Sequence, residues 1–319
     1  MTPEQRFLVL AGCIYLPLVP GYLSRKLGLL DPAASKRIQA TNLLTLESLV
    51  VLVGAWNLDI SEPGRALLVP VMGAMVSLSL LGVGLAGAKL LGERGRRRGA
   101  YLACSMMSNI GLSLGGFLCY VFLGMAGQSL AVAYMFHFLP VCFVTGMFIA
   151  SYYAGGRIGS VRRTMSNAVR NPLLFVPLGA LLTGIAINVS SLPMPRWVAP
   201  VNGVALMVMV AAHSFAIGLT LRLGRMGDYW REIGALAVTK FALGPVIGAA
   251  IVALLGQWSA FEGVLWRVVV IEGAMPVAIF ATILANLFDL DRDLANSAWV
   301  ATTLASAAVI PILYLVIAV

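Results

Sequence analysis

Charge is what this chain has least of. Asp, Glu, Lys and Arg make up only 11% of its 319 residues, where soluble domains carry roughly 25%. So small a supply of polar surface excludes a soluble globular protein. Cysteine and histidine are scarce too. Cys13, Cys104, Cys119 and Cys142 stand singly inside apolar runs with no C-x-x-C spacing, which argues against a disulfide or metal framework and for small buried apolar residues. The two histidines, His137 and His213, are equally solitary. Each fits an interhelical hydrogen bond or a proton relay. His213 does adjoin Ser214, but neighbours on a helix point about 100° apart, so no nucleophile–base pair of recognisable spacing is present and an enzyme is not expected.

What the chain has is apolar length. Hydrophobic residues make up 60% and mean hydropathy is +0.92. A helical span needs about 20 apolar residues, and cutting at charge clusters and at Pro/Gly punctuation predicts ten spans, near 7–24, 38–58, 66–90, 100–124, 129–154, 172–188, 199–221, 232–255, 264–288 and 294–318. The first, with Pro17, Pro20 and Gly21, reads as a retained span, since no small-residue cleavage site follows a short apolar core.

The basic residues set the orientation. Arg25, Lys26, Lys36, Arg37, Arg94, Arg96, Arg97, Arg98, Arg157, Arg162, Arg163, Arg170, Arg222, Arg225, Arg231 and Arg292 fall on one side, against Arg6, Arg65, Arg196 and Arg267 on the other. The positive-inside rule then puts both termini outside an inner (plasma) membrane. The +9 net charge is thus a topology signal, and the basic loop ERGRRRG at 93–99 reads as a stop signal or lipid contact, with no nucleic-acid partner expected.

Two five-span units, residues 1–156 and 157–319, share one plan. GRALLV (64–69) matches IGALAV (233–238), and both fourth spans, SMMSNIGLSLGG (105–116) and EGAMPVAIFATI (272–283), set polar and helix-breaking residues inside an apolar run. Five is odd, so the units enter the membrane from opposite sides, an inverted repeat typical of secondary transporters. At 1.5 Å per residue, Glu272 lies roughly 12 Å deep and Pro276 roughly 18 Å, level with Ser108 and Asn109 near the middle of an approximately 30 Å core. Pro276 clashes with the carbonyl four residues before it, while Gly273 and Gly111 tolerate unwound backbone. Such breaks persist only where protein or a water-filled cavity covers them. Carboxylate, hydroxyl, amide and bare carbonyls there suit an alkali cation or a proton, and half-helix N-termini suit an anionic substrate. A simple kink at Pro276 with Glu272 in a structural pair is the plainer alternative.

Glu47 and Lys240 are further intramembrane charges, each costing roughly 2.5 to 3.5 kcal/mol or more. Lys240 can snorkel to the cytoplasm, neutralise Glu47 or meet a substrate carboxylate. Glu47 is open to a salt bridge or a proton. The GxxxG spacings Gly111/Gly115 and Gly244/Gly248 permit close packing within the chain or in a homodimer.

LPLVPGYLSRKLGLLDP (16–32), RNPLL (170–174), TKFALGP (239–245) and MPVAIFATILANLFDLDRDLANSAWVATTLASAAVIP (275–311), taken in order, resemble the auxin efflux carrier family, similar in fold to the bile acid sodium symporters. The resemblance implies an all-α fold of ten spans, with a panel domain of helices 1, 2, 6 and 7 and a core domain of helices 3–5 and 8–10, in which broken helices 4 and 9 cross. It also implies sodium ligands at Ser108, Asn109, Glu272 and Met275. Two features depart from the symporters: the glycine is displaced to Gly273, and Pro276 stands where a glutamine ligand usually follows the methionine. Many auxin-carrier relatives lack the glutamate, and the plant members are thought to move substrate without a coupling ion. The expectation is a secondary transporter of a small organic anion, a carboxylate, working by an elevator or rocking movement. Na+ or H+ would sit at Glu272, Ser108 and Asn109, with substrate beside Asn109, Gly111, Gly273 and Pro276, and no other cofactor. A sodium-coupled solute symporter of the bile acid type and a cation/proton antiporter are the alternatives within transporters; a membrane receptor, a structural role and an intramembrane enzyme are those outside them.

Overall fold

A chain in lipid must satisfy its backbone N–H and C=O groups internally, and every named element among the described residues is a helix. The computed structural model describes residues 3–31, 33–61, 63–111, 113–155, 172–221 and 223–318. The expected repeat boundary at 156/157 and the basic residues Arg157, Arg162, Arg163, Arg170 and Arg222 lie outside the described residues. Among the described residues, seven helices are long and apolar enough to cross a membrane: Leu8–Lys26, Ala33–Trp56, Gly64–Leu90, Leu114–Tyr153, Val198–Thr220, Met226–Leu254 and Arg292–Ile317. Phe175–Val189 is a shorter apolar helix.

Two of the apolar stretches are interrupted. The helix Gly95–Met106 stops and helix resumes at Leu114; Val264–Gly273 stops and Ile279–Leu287 follows. At 10 to 12 residues, the leading halves reach only about 15–18 Å and cannot span a bilayer alone. Leu114–Met135 is bent where Gly124 adopts φ +71°, a conformation that favours glycine.

Single π-turns punctuate four other helices, at Ala11–Tyr15, Leu43–Glu47, Phe138–Phe143 and Thr239–Leu243. Pro17, Pro140 and Pro245 lie within or two residues beyond three of them. A proline removes one N–H and crowds the carbonyl four residues back, and a wider turn relieves that crowding. The Leu43–Glu47 turn has no proline; there the Ser48 hydroxyl donates to the Leu43 carbonyl at 2.8 Å.

The chain divides into two compact units. One gathers residues 1–61, 111–133 and 168–221. In it Asn42 Nδ2 donates to Met209 O at 2.8 Å and Ser35 Oγ to Ala216 O at 2.7 Å. Asn188 Nδ2 caps the end of Ser48–Trp56, reaching the carbonyls of Ala55, Trp56 and Leu58 at 2.7 to 3.0 Å; those carbonyls have no partner inside the helix. The other unit gathers 62–110, 134–167 and 222–319, and it contains both leading half-helices. There Gly244 and Gly248 lie against the backbone of Gly273 and Val269. That GxxxG pair therefore serves packing within the chain rather than a dimer face.

Candidate functional site

Breaking a helix leaves its last carbonyls and the next N–H groups without partners. In the second unit the two breaks supply each other. Met107 and Ala278 are extended, with ψ of 118° and 145°, and Ser108 and Val277 form an isolated antiparallel bridge. Asn109 N donates to Pro276 O at 2.8 Å and Ala278 N to Met107 O at 3.0 Å. Proline suits this position because it needs only to accept. Val277 N, which no neighbouring helix turn can serve, donates to Thr302 Oγ1 at 3.1 Å. The Glu272 carbonyl, crowded by Pro276, turns to Met275 N at 3.4 Å, tightening the last turn before the break.

Ser108, Asn109, Met275 and Pro276 are thus brought to one place. Ser108, Glu272, Gly273, Met275 and Pro276 are buried, with Glu272 only 1% exposed four residues before the proline, and Asn109 is half-buried. Gly273 acts by close approach rather than by unwinding: it is helical, and a Cβ there would stand 2.7 Å from Gly244 O. Gly111 does take the left-handed conformation expected of it, at φ +69°.

Lys240 does not snorkel. Its side chain is wholly buried, and its Nζ donates to Ser105 O at 2.7 Å, Ser108 Oγ at 2.9 Å and Met107 O at 3.1 Å. The π-turn Thr239–Leu243 carries it. One turn on, on the same face, Gly244 touches Gly273, so a single helix holds both broken ones. Thr302 and the acceptors of Lys240 could not be read from the sequence. Thr302 is one of many small polar residues in its helix, with nothing local to distinguish it.

The remaining charged and imidazole groups lie elsewhere. In the first unit Glu47 Oε2 faces His213 Nε2 at 3.3 Å. His137 belongs to the second unit, where Nδ1 lies 2.5 Å from Tyr134 O and Nε2 lies 2.9 Å from Ser77 Oγ. A carbonyl can only accept, so Nδ1 carries a proton. Arg97 pairs with Glu93 at 2.9 Å and with Glu232, beside a cavity of about 420 Å³ also lined by Arg94, Asp228 and Arg231. Burial, the hydrogen bond to Glu232 and repulsion from Glu232 and Asp291 push the Glu93 carboxyl up to about 7, against the pull of Arg97. The four cysteines are free. Among the described residues no group of three or more His, Cys, Asp or Glu is placed to hold a metal.

No protein-family model matches the chain. It is 27% identical over 297 residues, 92% of each chain, to a protein of Methanothermobacter thermautotrophicus named an uncharacterized transporter. The apolar helices and this similarity together support a multi-pass membrane protein.

Proposed function

We propose that this protein is a membrane transporter that carries a small organic anion, a carboxylate, by alternating access. The observation that carries the reading is the pair of interrupted helices joined through Asn109, Pro276, Met107 and Ala278. Irregular backbone deep in a bilayer is tolerated only where protein buries it or it lines a cavity, and transporters build their substrate sites this way. The similarity to an uncharacterized transporter over nearly the whole chain points the same way. An anion is favoured because a half-helix begins beyond the second break, at Ile279, and helix N-termini attract negative charge.

The architecture we infer is a ten-span inverted repeat with both termini outside, in which a core moves against a panel. It is supported by the similar placing of the two breaks, after Met106 and after Gly273. Glu272 is the acidic group for a coupling proton. The test is uptake of radiolabelled mono- and dicarboxylates into proteoliposomes, with Asn109→Ala and Pro276→Ala alongside. Saturable uptake of a carboxylate, lost in both variants, is the expected result. Uptake of none, or equal uptake by the variants, sinks the reading.

A further inference from the structure

The oxygen set around Lys240 Nζ is that of a cation site. Two main-chain carbonyls and a hydroxyl, Ser105 O, Met107 O and Ser108 Oγ, converge on one point at 2.7 to 3.1 Å, and hard cations are bound by oxygens of this kind. The site lies where a helix ends, at the negative pole of its dipole. Ser105 O is without its helical partner because Asn109 N has gone to Pro276 O. Met107 O has two lone pairs and uses one for Ala278 N and the other for Lys240. An ammonium has three protons and no lone pair, so three acceptors satisfy it completely.

We propose that the Lys240 ammonium is a tethered cation, filling at the crossing of the broken helices the position a soluble coupling ion would take. A free ion can leave when the site opens; a lysine side chain cannot. It holds Ser105 O, Met107 O and Ser108 Oγ together and gives an anionic substrate a counter-charge. A sodium ion has no place among those three oxygens while the ammonium occupies them. The consequence for coupling rests on the transport reading of this site; the occupancy itself does not.

The test is thermal unfolding of the purified full-length protein in detergent, in NaCl, KCl, choline chloride and ethylammonium chloride, for wild type, Lys240→Ala and Lys240→Met. Wild type is expected to unfold at the same temperature in all four salts. In choline both variants are expected to fall by about 5 to 10 °C, because removing a buried charge leaves its partners unsatisfied. Ethylammonium or sodium is expected to restore part of the loss in Lys240→Ala, where room is left, and none in Lys240→Met, where the side chain fills it. A sodium-specific rise in wild type overturns the proposal. So does a Met variant as stable as wild type, or an Ala variant that no cation rescues. Should neither variant fold, the wild-type comparison decides alone. These readouts need no substrate, so failure of carboxylate uptake would remove the transport reading while leaving the tethered cation standing.

Discussion

Thr302 and Gly273 show how single side chains hold the crossing together. Thr302 Oγ1 accepts from Val277 N and donates to Ala298 O at 2.8 Å. Thr302→Val keeps the shape and removes the acceptor, so a buried N–H is orphaned and about 1–3 kcal/mol of stability is lost. Thr302→Ser should stay near wild type. Chemical or thermal unfolding of the two variants checks this, and equal stability would show that Val277 N finds another partner. Gly273→Ala is expected to cost about 1–3 kcal/mol, because its Cβ would meet backbone atoms of Gly244 and Pro245 at 2.7 to 3.3 Å and backbone does not yield as a flexible side chain would. Gly82→Ala is the control. A Cβ there meets nothing within 4 Å, and alanine is the better helix former by up to about 1 kcal/mol, so its unfolding temperature should hold or rise.

Between elements, the turn after the helix Pro63–Leu90 is tied to the start of Trp230–Val238 through Glu93, Arg97 and Glu232. Two carboxylates share one guanidinium, and Glu93 holds its proton up to about pH 7, against 4.5 for an ordinary glutamate. Between those values the folded chain keeps a proton that the unfolded chain has released. Stability therefore falls as pH rises from about 4.5 to about 7 and levels off above, since the folded state binds the extra proton only in that window. Glu93→Gln should flatten this slope when unfolding temperature is followed against pH. An unchanged slope would place its source in another group.

For the whole molecule, the asymmetry of basic residues predicts which loops face inward. In a background with Cys13, Cys104, Cys119 and Cys142 replaced, Arg94→Cys should react with a membrane-impermeant maleimide only from the cytoplasmic side and Glu262→Cys only from the outside. Labelling of both from one side would exclude an odd number of spans between them, and the reversed pattern would put the termini inside. Much of this scale was legible in the sequence. The apolar stretches near 66–90, 199–221 and 294–318 appear as the helices Pro63–Leu90, Val198–Thr220 and Arg292–Ala318, because apolar length is a local property that composition displays. Pro276 marked a break for the same reason, since its missing N–H acts on its own helix.

What the sequence determined by itself was the solvent, the helical character and the places where helices fail, all of which follow from residues within a turn or two of one another. The partners of the broken ends were decided only by tertiary structure. Lys240 lies 132 residues from Ser108 and Thr302 lies 25 from Val277, and no pattern along the chain says which carbonyl a buried donor will reach. Read in sequence, Lys240 was a charge in search of solvent or an acid. Folded, it is an ammonium whose three protons all meet oxygens at the end of a broken helix, because satisfying buried donors and acceptors is a condition on the whole packing rather than on any one segment.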